Sequence, residues 1–155
     1  MDWSEVQAAL FVDEDDTGTL FVRNVLELLP KSTTRMFPAL QVYSLSNVSF
    51  KSAAKEMAYA FDFGLLYSLK LRFCFGWERF LLRGSCLSRP TRLKLLEIQS
   101  TIHYEVQAED SISEFLGSFH GLEQLAISTG SLAWTLDIWR VVLYYKSTLK
   151  AFAHH

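Results

Sequence analysis

One short phrase of apolar residues recurs along this chain and limits the folds that it can adopt. In residues 40–45, LQVYSL, the first, fourth and sixth positions are apolar. Similar phrases begin at positions 40, 66, 93, 122 and 149, so their spacing is 26, 27, 29 and 27 residues. A nearly constant period of this length is typical of a supersecondary unit that stacks on copies of itself.

The spacing inside the phrase indicates a short β-strand. The fourth and sixth positions are two residues apart, so their side chains point to the same face of an extended chain. The first position turns inward just before the strand. Each phrase therefore predicts three apolar side chains in the core and leaves the odd positions of the strand on the opposite face.

Apolar residues at helical spacing lie between the phrases. The first predicted helix spans 52–63, ends at Gly64 and turns five side chains inward: Ala53, Ala54, Met57, Ala58 and Phe61. The second turns four residues to one face: Trp77, Phe80, Leu81 and Gly84. A strand and a helix thus form each repeat.

Two further helices are predicted closer to the C-terminus. A capping box of Ser111 and Glu114 predicts where the third begins, and Gly121 is expected to terminate it. Its inward residues are Ile112, Phe115, Leu116 and Phe119. The fourth turns Leu136, Trp139, Val142 and Leu143 inward.

The predicted fold class is α/β, as a leucine-rich-repeat solenoid. We expect a right-handed horseshoe segment of about five strand-helix repeats, with a parallel sheet on its concave face. The repeats occupy residues 19–155, and residues 1–18 form an N-terminal arm or a partial repeat. The last phrase has no polar cap, so the C-terminal end is expected to be open and to favour self-association. A truncated repeat fragment without a dedicated function is therefore an alternative interpretation.

Helix-bearing repeats of this length resemble those of ribonuclease-inhibitor-like and F-box proteins. The phrases at 45–50, 69–74 and 96–100 are similar to those of the fungal F-box and leucine-rich-repeat family. Cys74 follows Leu71 by three residues, where an asparagine or cysteine commonly satisfies backbone groups of the turn leaving the strand. The resemblance covers about three quarters of the chain, 37–155. It implies a substrate-holding part of a ubiquitin ligase adaptor, although no F-box is evident in the first thirty residues.

Composition excludes several other classes of function. Fifteen basic and 17 acidic residues give a net charge of −2, which offers no general attraction to nucleic acid. No apolar run approaches the roughly 18 residues that would span a membrane. Two cysteines, Cys74 and Cys86, are too few for a disulfide framework, so we expect an intracellular protein, cytoplasmic or nuclear.

No motif for catalysis, a cofactor or a metal ion is evident. The chain has no phosphate-binding loop, dinucleotide fingerprint or metal-spaced carboxylate cluster. A nucleophile formed by Cys86 and a histidine is the weakest alternative, because no acid or oxyanion signal lies near it. The histidines His103 and His120 are assigned to a loop and a helix end. We therefore expect no enzyme activity and no cofactor.

The odd positions of the strands predict where a partner protein would bind. Strands stacked side by side bring their outward residues into columns across the concave face. The most polar part of these columns contains five residues: Lys70, Arg72, Glu97, Gln99 and Gln124. Contact with another protein through this face is the leading hypothesis, and a merely solvated sheet face is the alternative.

Overall fold

A parallel sheet with helices between its strands forms the architecture. The computed structural model describes residues 37, 39–50, 54–60, 62–86, 91–100, 107–129 and 135–154. In chain order the elements are β1 (Val42–Ser46), α1 (Ala54–Ala60), β2 (Ser68–Arg72), α2 (Trp77–Ser85), β3 (Leu95–Ser100), α3 (Gln107–Gly117), β4 (Gln124–Thr129), α4 (Thr135–Tyr144) and β5 (Ala151–His154). The α/β class is confirmed, and the predicted arm at 1–18 lies outside the described residues.

The strands lie in the sheet in the order in which they occur in the chain, β1-β2-β3-β4-β5, and every neighbouring pair is parallel. Their register places equal positions of the five apolar phrases next to one another. The third positions, for example, form the row Val42, Ser68, Leu95, Gln124 and Ala151. The outward columns predicted from the sequence are therefore present in the sheet.

The core lies between the sheet and the helices. Leu69, Leu71, Leu96 and Ile98, at the fourth and sixth phrase positions of β2 and β3, are completely buried. Buried aromatic rings lie above them, and the Phe80 ring of α2 stacks on the Phe50 ring with a centroid distance of 4.6 Å. Burial of this apolar surface is the main force that holds the helices on the sheet.

One hydrogen-bond pattern recurs where the chain enters each of the last four strands. A single carbonyl oxygen of the preceding phrase accepts two consecutive backbone N–H groups. These acceptors are Gln41, Tyr67, Lys94 and Glu123, with N···O distances between 2.7 and 3.1 Å. Because each acceptor is the second residue of its phrase, the same backbone geometry joins every pair of neighbouring strands.

The helix predictions are confirmed in part. In α2, the buried residues are the predicted Trp77, Phe80, Leu81 and Gly84. In α1, Ala54, Met57 and Ala58 are buried as predicted, whereas Ala53 and Phe61 lie outside the described residues. The helix ends at Ala60, before a turn in which the Gly64 N–H donates to Asp62 Oδ1 at 3.1 Å.

The predicted capping box is wrong. Helix α3 begins at Gln107, so Ser111 lies within it and is only 7% exposed. Ser111 and Phe115 are four residues apart and share the inward face, where a serine is small enough to pack. The helix ends at Gly117, so Gly121 lies in the loop that leads to β4, where its φ is +84°. The Phe119 side chain lies beyond the helix end but is buried as expected.

The predicted inward face of the fourth helix is wrong for two of its residues. Trp139 is 57% exposed and Leu143 is 64% exposed, whereas Val142 packs against the core. Among the described residues, α3 packs on one side of α4 and no further helix packs on the other. Tyr145, just after the helix, is buried instead, and its hydroxyl donates to the carbonyl oxygens of Leu116 and Phe119.

Candidate interaction surface

The five residues that the sequence singled out all lie on the side of the sheet opposite the helices. We call this side the open face; it carries the outward positions of the five strands. Lys70 is the direct cross-strand neighbour of Glu97, and Arg72 is the direct neighbour of Gln99. These four side chains form one group on β2 and β3. Gln124 lies apart from them, at the start of β4 and beside Leu95.

Arg72 and Glu97 form a two-pronged ion pair across β2 and β3. Arg72 Nε donates to Glu97 Oε1 at 2.6 Å, and Nη2 donates to Oε2 at 3.1 Å. The hydrogen bond to Glu97 raises the pKa of the arginine. The Glu97 side chain is 14% exposed and the Arg72 side chain 40%. The charges of Arg72 and Glu97 therefore compensate each other, and the two hydrogen bonds fix the positions of both side chains.

Lys70 is therefore the charge of this group that remains available to a partner. It is half-buried, and within the described part of the chain no carboxylate forms an ion pair with it. Its row across the sheet otherwise contains small residues, namely Ser44, Ala126 and Ala153, apart from Glu97. Small side chains around one ammonium group leave room for the side chains of a partner.

A second charged group lies at the edge of the sheet where the strands begin, and we call it the amino-edge group. Glu123 contacts Lys94 Nζ at 3.3 Å and Lys150 Nζ at 2.5 Å. Hydrogen bonds from Lys150 and Lys94 lower the pKa of Glu123. The hydrogen bond to Glu123 in turn raises the pKa of Lys150. Sequence reasoning missed this group because it compared only the odd positions of the phrases. Lys94, Glu123 and Lys150 occupy the second positions of the last three phrases, and their charges alternate in sign.

At the opposite edge, where strands end, two non-glycine residues adopt left-handed backbone conformations. Asn47 follows β1 with φ 57°, and Phe73 follows β2 with φ 54°. Their N–H groups donate to the carbonyl oxygens of Arg72 and Gln99, the last outward residues on the neighbouring strands. Asparagine tolerates this conformation, but a bulky residue in it is uncommon and strained. The sequence held no signal for the strain at Phe73.

Cys74 has the structural role expected from its position. It is buried, and its sulfur lies 3.7 Å from the Leu45 carbonyl oxygen and 3.5 Å from that of Arg72. Burial raises the pKa of the thiol to about 11. A thiol with so high a pKa is almost entirely protonated at neutral pH, so Cys74 is a poor nucleophile.

The other candidates for chemistry do not assemble into a site within the described residues. Cys86 is exposed, and the hydroxyl of Ser85 lies 4.0 Å from its sulfur. The His120 ring stacks on Tyr144, with Nδ1 2.7 Å from the phenolic oxygen, three residues beyond the end of α3. His103 lies outside the described residues. In the described ranges, no three His, Cys, Asp or Glu side chains are grouped so that they could hold a metal ion.

Comparisons with known proteins leave the function to be argued from this geometry. No protein-family model, curated protein or solved structure matches the chain. None of the helices in the described part of the chain is long and apolar enough to cross a membrane. The open face is consequently the feature on which a functional argument can be built.

Proposed function

We propose that this chain is a leucine-rich-repeat solenoid and that it is a non-catalytic module which binds another protein through the open face. The repeat assignment is supported by the period of the phrases, by their alignment into rows and by the recurring hydrogen bonds at Gln41, Tyr67, Lys94 and Glu123. Stacked units of this kind use their exposed sheet as a binding surface.

The observation that carries the proposal is the grouping of Lys70, Arg72, Glu97 and Gln99 on two neighbouring strands. The Arg72–Glu97 ion pair holds two of these side chains in a fixed arrangement, so a partner would meet an ordered surface rather than mobile side chains. Ordering before binding reduces the entropy lost on association. Partly exposed Val42 and Leu95 add apolar area beside the polar group. A mixed surface of this kind suits a protein partner.

Nucleic acid is a weaker fit to the same surface. Binding to phosphate backbones needs several uncompensated cations, and its strength grows with the number of phosphates neutralised. On the open face, Glu97 compensates Arg72, and the amino-edge group places Glu123 between Lys94 and Lys150. A protein partner is therefore favoured, as the net charge of the chain also indicates.

We further propose that the module is the substrate-recognition part of an F-box-like ubiquitin ligase adaptor. The support for this is the resemblance of the phrases at 45–50, 69–74 and 96–100 to the fungal F-box and leucine-rich-repeat family. Cullin-type ligase subunits that co-purify with the chain would support this part of the proposal.

Affinity purification of the tagged chain from a fungal lysate, followed by mass spectrometry, tests the binding function. The variant Lys70→Glu, Arg72→Glu reverses both cations of the open face and should lose the specific partners. The matched control Arg79→Glu, Arg83→Glu reverses two exposed cations on α2, on the other side of the sheet, and should retain them. Circular dichroism verifies that both variants fold. Retention of the same partners by the open-face variant would contradict the proposal.

The single variant Lys70→Gln tests the loss of the Lys70 charge without disturbing its neighbours. Arg72→Glu places a second carboxylate beside Glu97, and like charges on neighbouring strands destabilise the sheet locally. Lys70→Gln removes the ammonium group without adding a carboxylate opposite Glu97, so it leaves the Arg72–Glu97 ion pair intact. We therefore expect the single variant to lose partner binding with a smaller change in stability than the double variant.

A second surface favours self-association. Trp139 and Leu143 are exposed on α4, and β5 is the last strand of the sheet among the described residues. The Trp139 ring packs 5.8 Å from that of Phe152, so the apolar side of the helix and the strand edge are continuous. An edge strand flanked by apolar side chains is prone to pair with another chain.

Sedimentation velocity tests this second surface. We expect the wild type to associate at high concentration and Leu143→Glu to sediment as a monomer, because a charge at this position opposes apolar contact. Tyr59→Glu is the control, since Tyr59 is similarly exposed but lies on α1. Equal sedimentation of all three chains would rule out association through α4 and β5.

A further inference from the structure

Phe73 has a conformation and an exposure that folding alone does not explain. Its φ is 54°, in the left-handed region that a bulky side chain adopts at a cost. The residue is 44% exposed, so much of its apolar surface remains in contact with water. Strained residues of this kind concentrate at binding sites, where the surrounding structure holds them in place.

The left-handed backbone conformation at Phe73 is required by the turn after β2 and not by the phenylalanine side chain. The Phe73 N–H donates to the Gln99 carbonyl oxygen at 2.7 Å, and the next residue, Cys74, turns into the core. The corresponding turn after β1 has the same backbone conformation with Asn47, which adopts it readily. An asparagine would therefore serve the turn at position 73 at least as well as phenylalanine does.

Phe73 lies at the end of the strand that carries Lys70. Phe73 is three positions after Lys70, which corresponds to about 10 Å along an extended chain. Between them lies Arg72, neutralised by Glu97. Lys70 and Phe73 thus flank the ion-paired Arg72. Phe73 is partly exposed, and no carboxylate of the described residues forms an ion pair with Lys70.

We propose that Phe73 and Lys70 are two anchor points for one segment of the partner protein. This segment carries a carboxylate that meets Lys70 and an apolar side chain, about 10 Å away, that packs on the Phe73 ring. The inference rests on the proposed binding function of the open face and specifies the chemistry of the partner. Aromatic residues are frequent among the few side chains that supply most of the binding energy at an interface.

Selection of a displayed library of random peptides on the immobilised 155-residue chain tests the inference. We expect the enriched peptides to combine an acidic residue with an apolar or aromatic residue. Fluorescence anisotropy with the most enriched peptide then measures affinity. Lys70→Gln and Phe73→Asn should each weaken binding by about 10-fold or more, whereas Arg79→Gln, on α2, should leave it unchanged.

Thermal unfolding of Phe73→Asn distinguishes a contact residue from a packing residue. If the ring serves binding, relief of backbone strain should offset the few packing contacts that are lost, and the unfolding midpoint should stay within roughly 4 °C of that of the wild type. A midpoint lowered by more than this would show that the ring serves mainly to stabilise the fold, and it would overturn the inference.

The outcomes also separate this inference from the proposed function. Weakened binding in Lys70→Gln but not in Phe73→Asn would retain the open face as the binding surface and reject Phe73 as an anchor. Binding that neither substitution affects would reject both. Failure to enrich any peptide over an unrelated immobilised protein would count against both as well.

Discussion

Gly84 lets α2 pack closely against the ring of Phe63, which follows α1 in the chain. A Cβ atom added at Gly84 would lie 2.7 Å from a ring carbon of Phe63, which is itself buried and has little room to move. Only glycine allows this approach without displacing the ring.

Gly84→Ala should accordingly destabilise the protein by about 1 kcal/mol or more, because the cost of overpacking exceeds the gain in helix propensity. Urea denaturation followed by circular dichroism measures the change. In a Phe63→Leu background, where the ring is absent, the same substitution should be less harmful. A more stable Gly84→Ala protein would show that the ring is free to move.

The two cysteines should differ in reactivity. Cys74 is buried with a pKa of about 11, whereas Cys86 is exposed. Under native conditions at mildly alkaline pH, iodoacetamide should modify Cys86 at least about 100-fold faster than Cys74, because burial shields the Cys74 sulfur and its raised pKa keeps it protonated. Peptide mass spectrometry over time measures the two rates, and equal rates would contradict the burial of Cys74.

At the scale of elements, the amino-edge group links the entries to β3, β4 and β5. Its carboxylate, Glu123, has a lowered pKa in the folded protein, so it contributes stability above its unfolded pKa of about 4.5. This contribution is lost as the pH falls through the folded pKa, since a protonated carboxyl no longer attracts Lys94 and Lys150. All three groups are accessible to solvent, so the effect is small.

Glu123→Gln should therefore lower the unfolding midpoint slightly at neutral pH, and the difference should shrink as the pH falls below about 4.5. Thermal unfolding over this pH range measures the difference between variant and wild type. Glu114→Gln provides the control, because Glu114 is exposed on α3 and lies outside the amino-edge group. A difference that persists unchanged in acid would show that the ion pairs are not its cause.

Local periodicity predicted the elements well because one face of each must be buried. The strand positions at Leu69, Leu71 and Leu96 follow from alternation alone, as does the inward face of α2. The start of α3 was misjudged because the Ser111–Glu114 spacing of a capping box also occurs inside a helix. Periodicity cannot distinguish the two cases.

The sequence predicted where the residues of the candidate site lie, but not which of them contact each other. Alternation placed Lys70, Arg72, Glu97 and Gln99 on one face, and the register confirms that they are neighbours. The pairing of Arg72 with Glu97 depends on residues 25 positions apart, which no local pattern reveals. The exposure of Trp139 likewise depends on what packs beside α4, and not on the helix itself.

At the scale of the molecule, burial decreases towards the last strand. The inward residues of β2 and β3 are fully buried, whereas Phe152 and His154 in β5 are only partly so. Hydrogen exchange should therefore be slowest at the amides of β3 and faster at those of β5, because β5 is less buried and has a neighbouring strand on one side only in the described sheet. Uniform exchange across the five strands would instead indicate all-or-none opening.

The central claim is that a protein partner binds the open face and not the helices. Replacement of single residues by a photo-crosslinking phenylalanine analogue tests it most directly, with Gln99 and Gln124 on the open face and Arg79 and Arg83 on α2. We expect adducts of one common mass from both open-face positions and none from the helical positions. Adducts from the helical positions alone would contradict the claim.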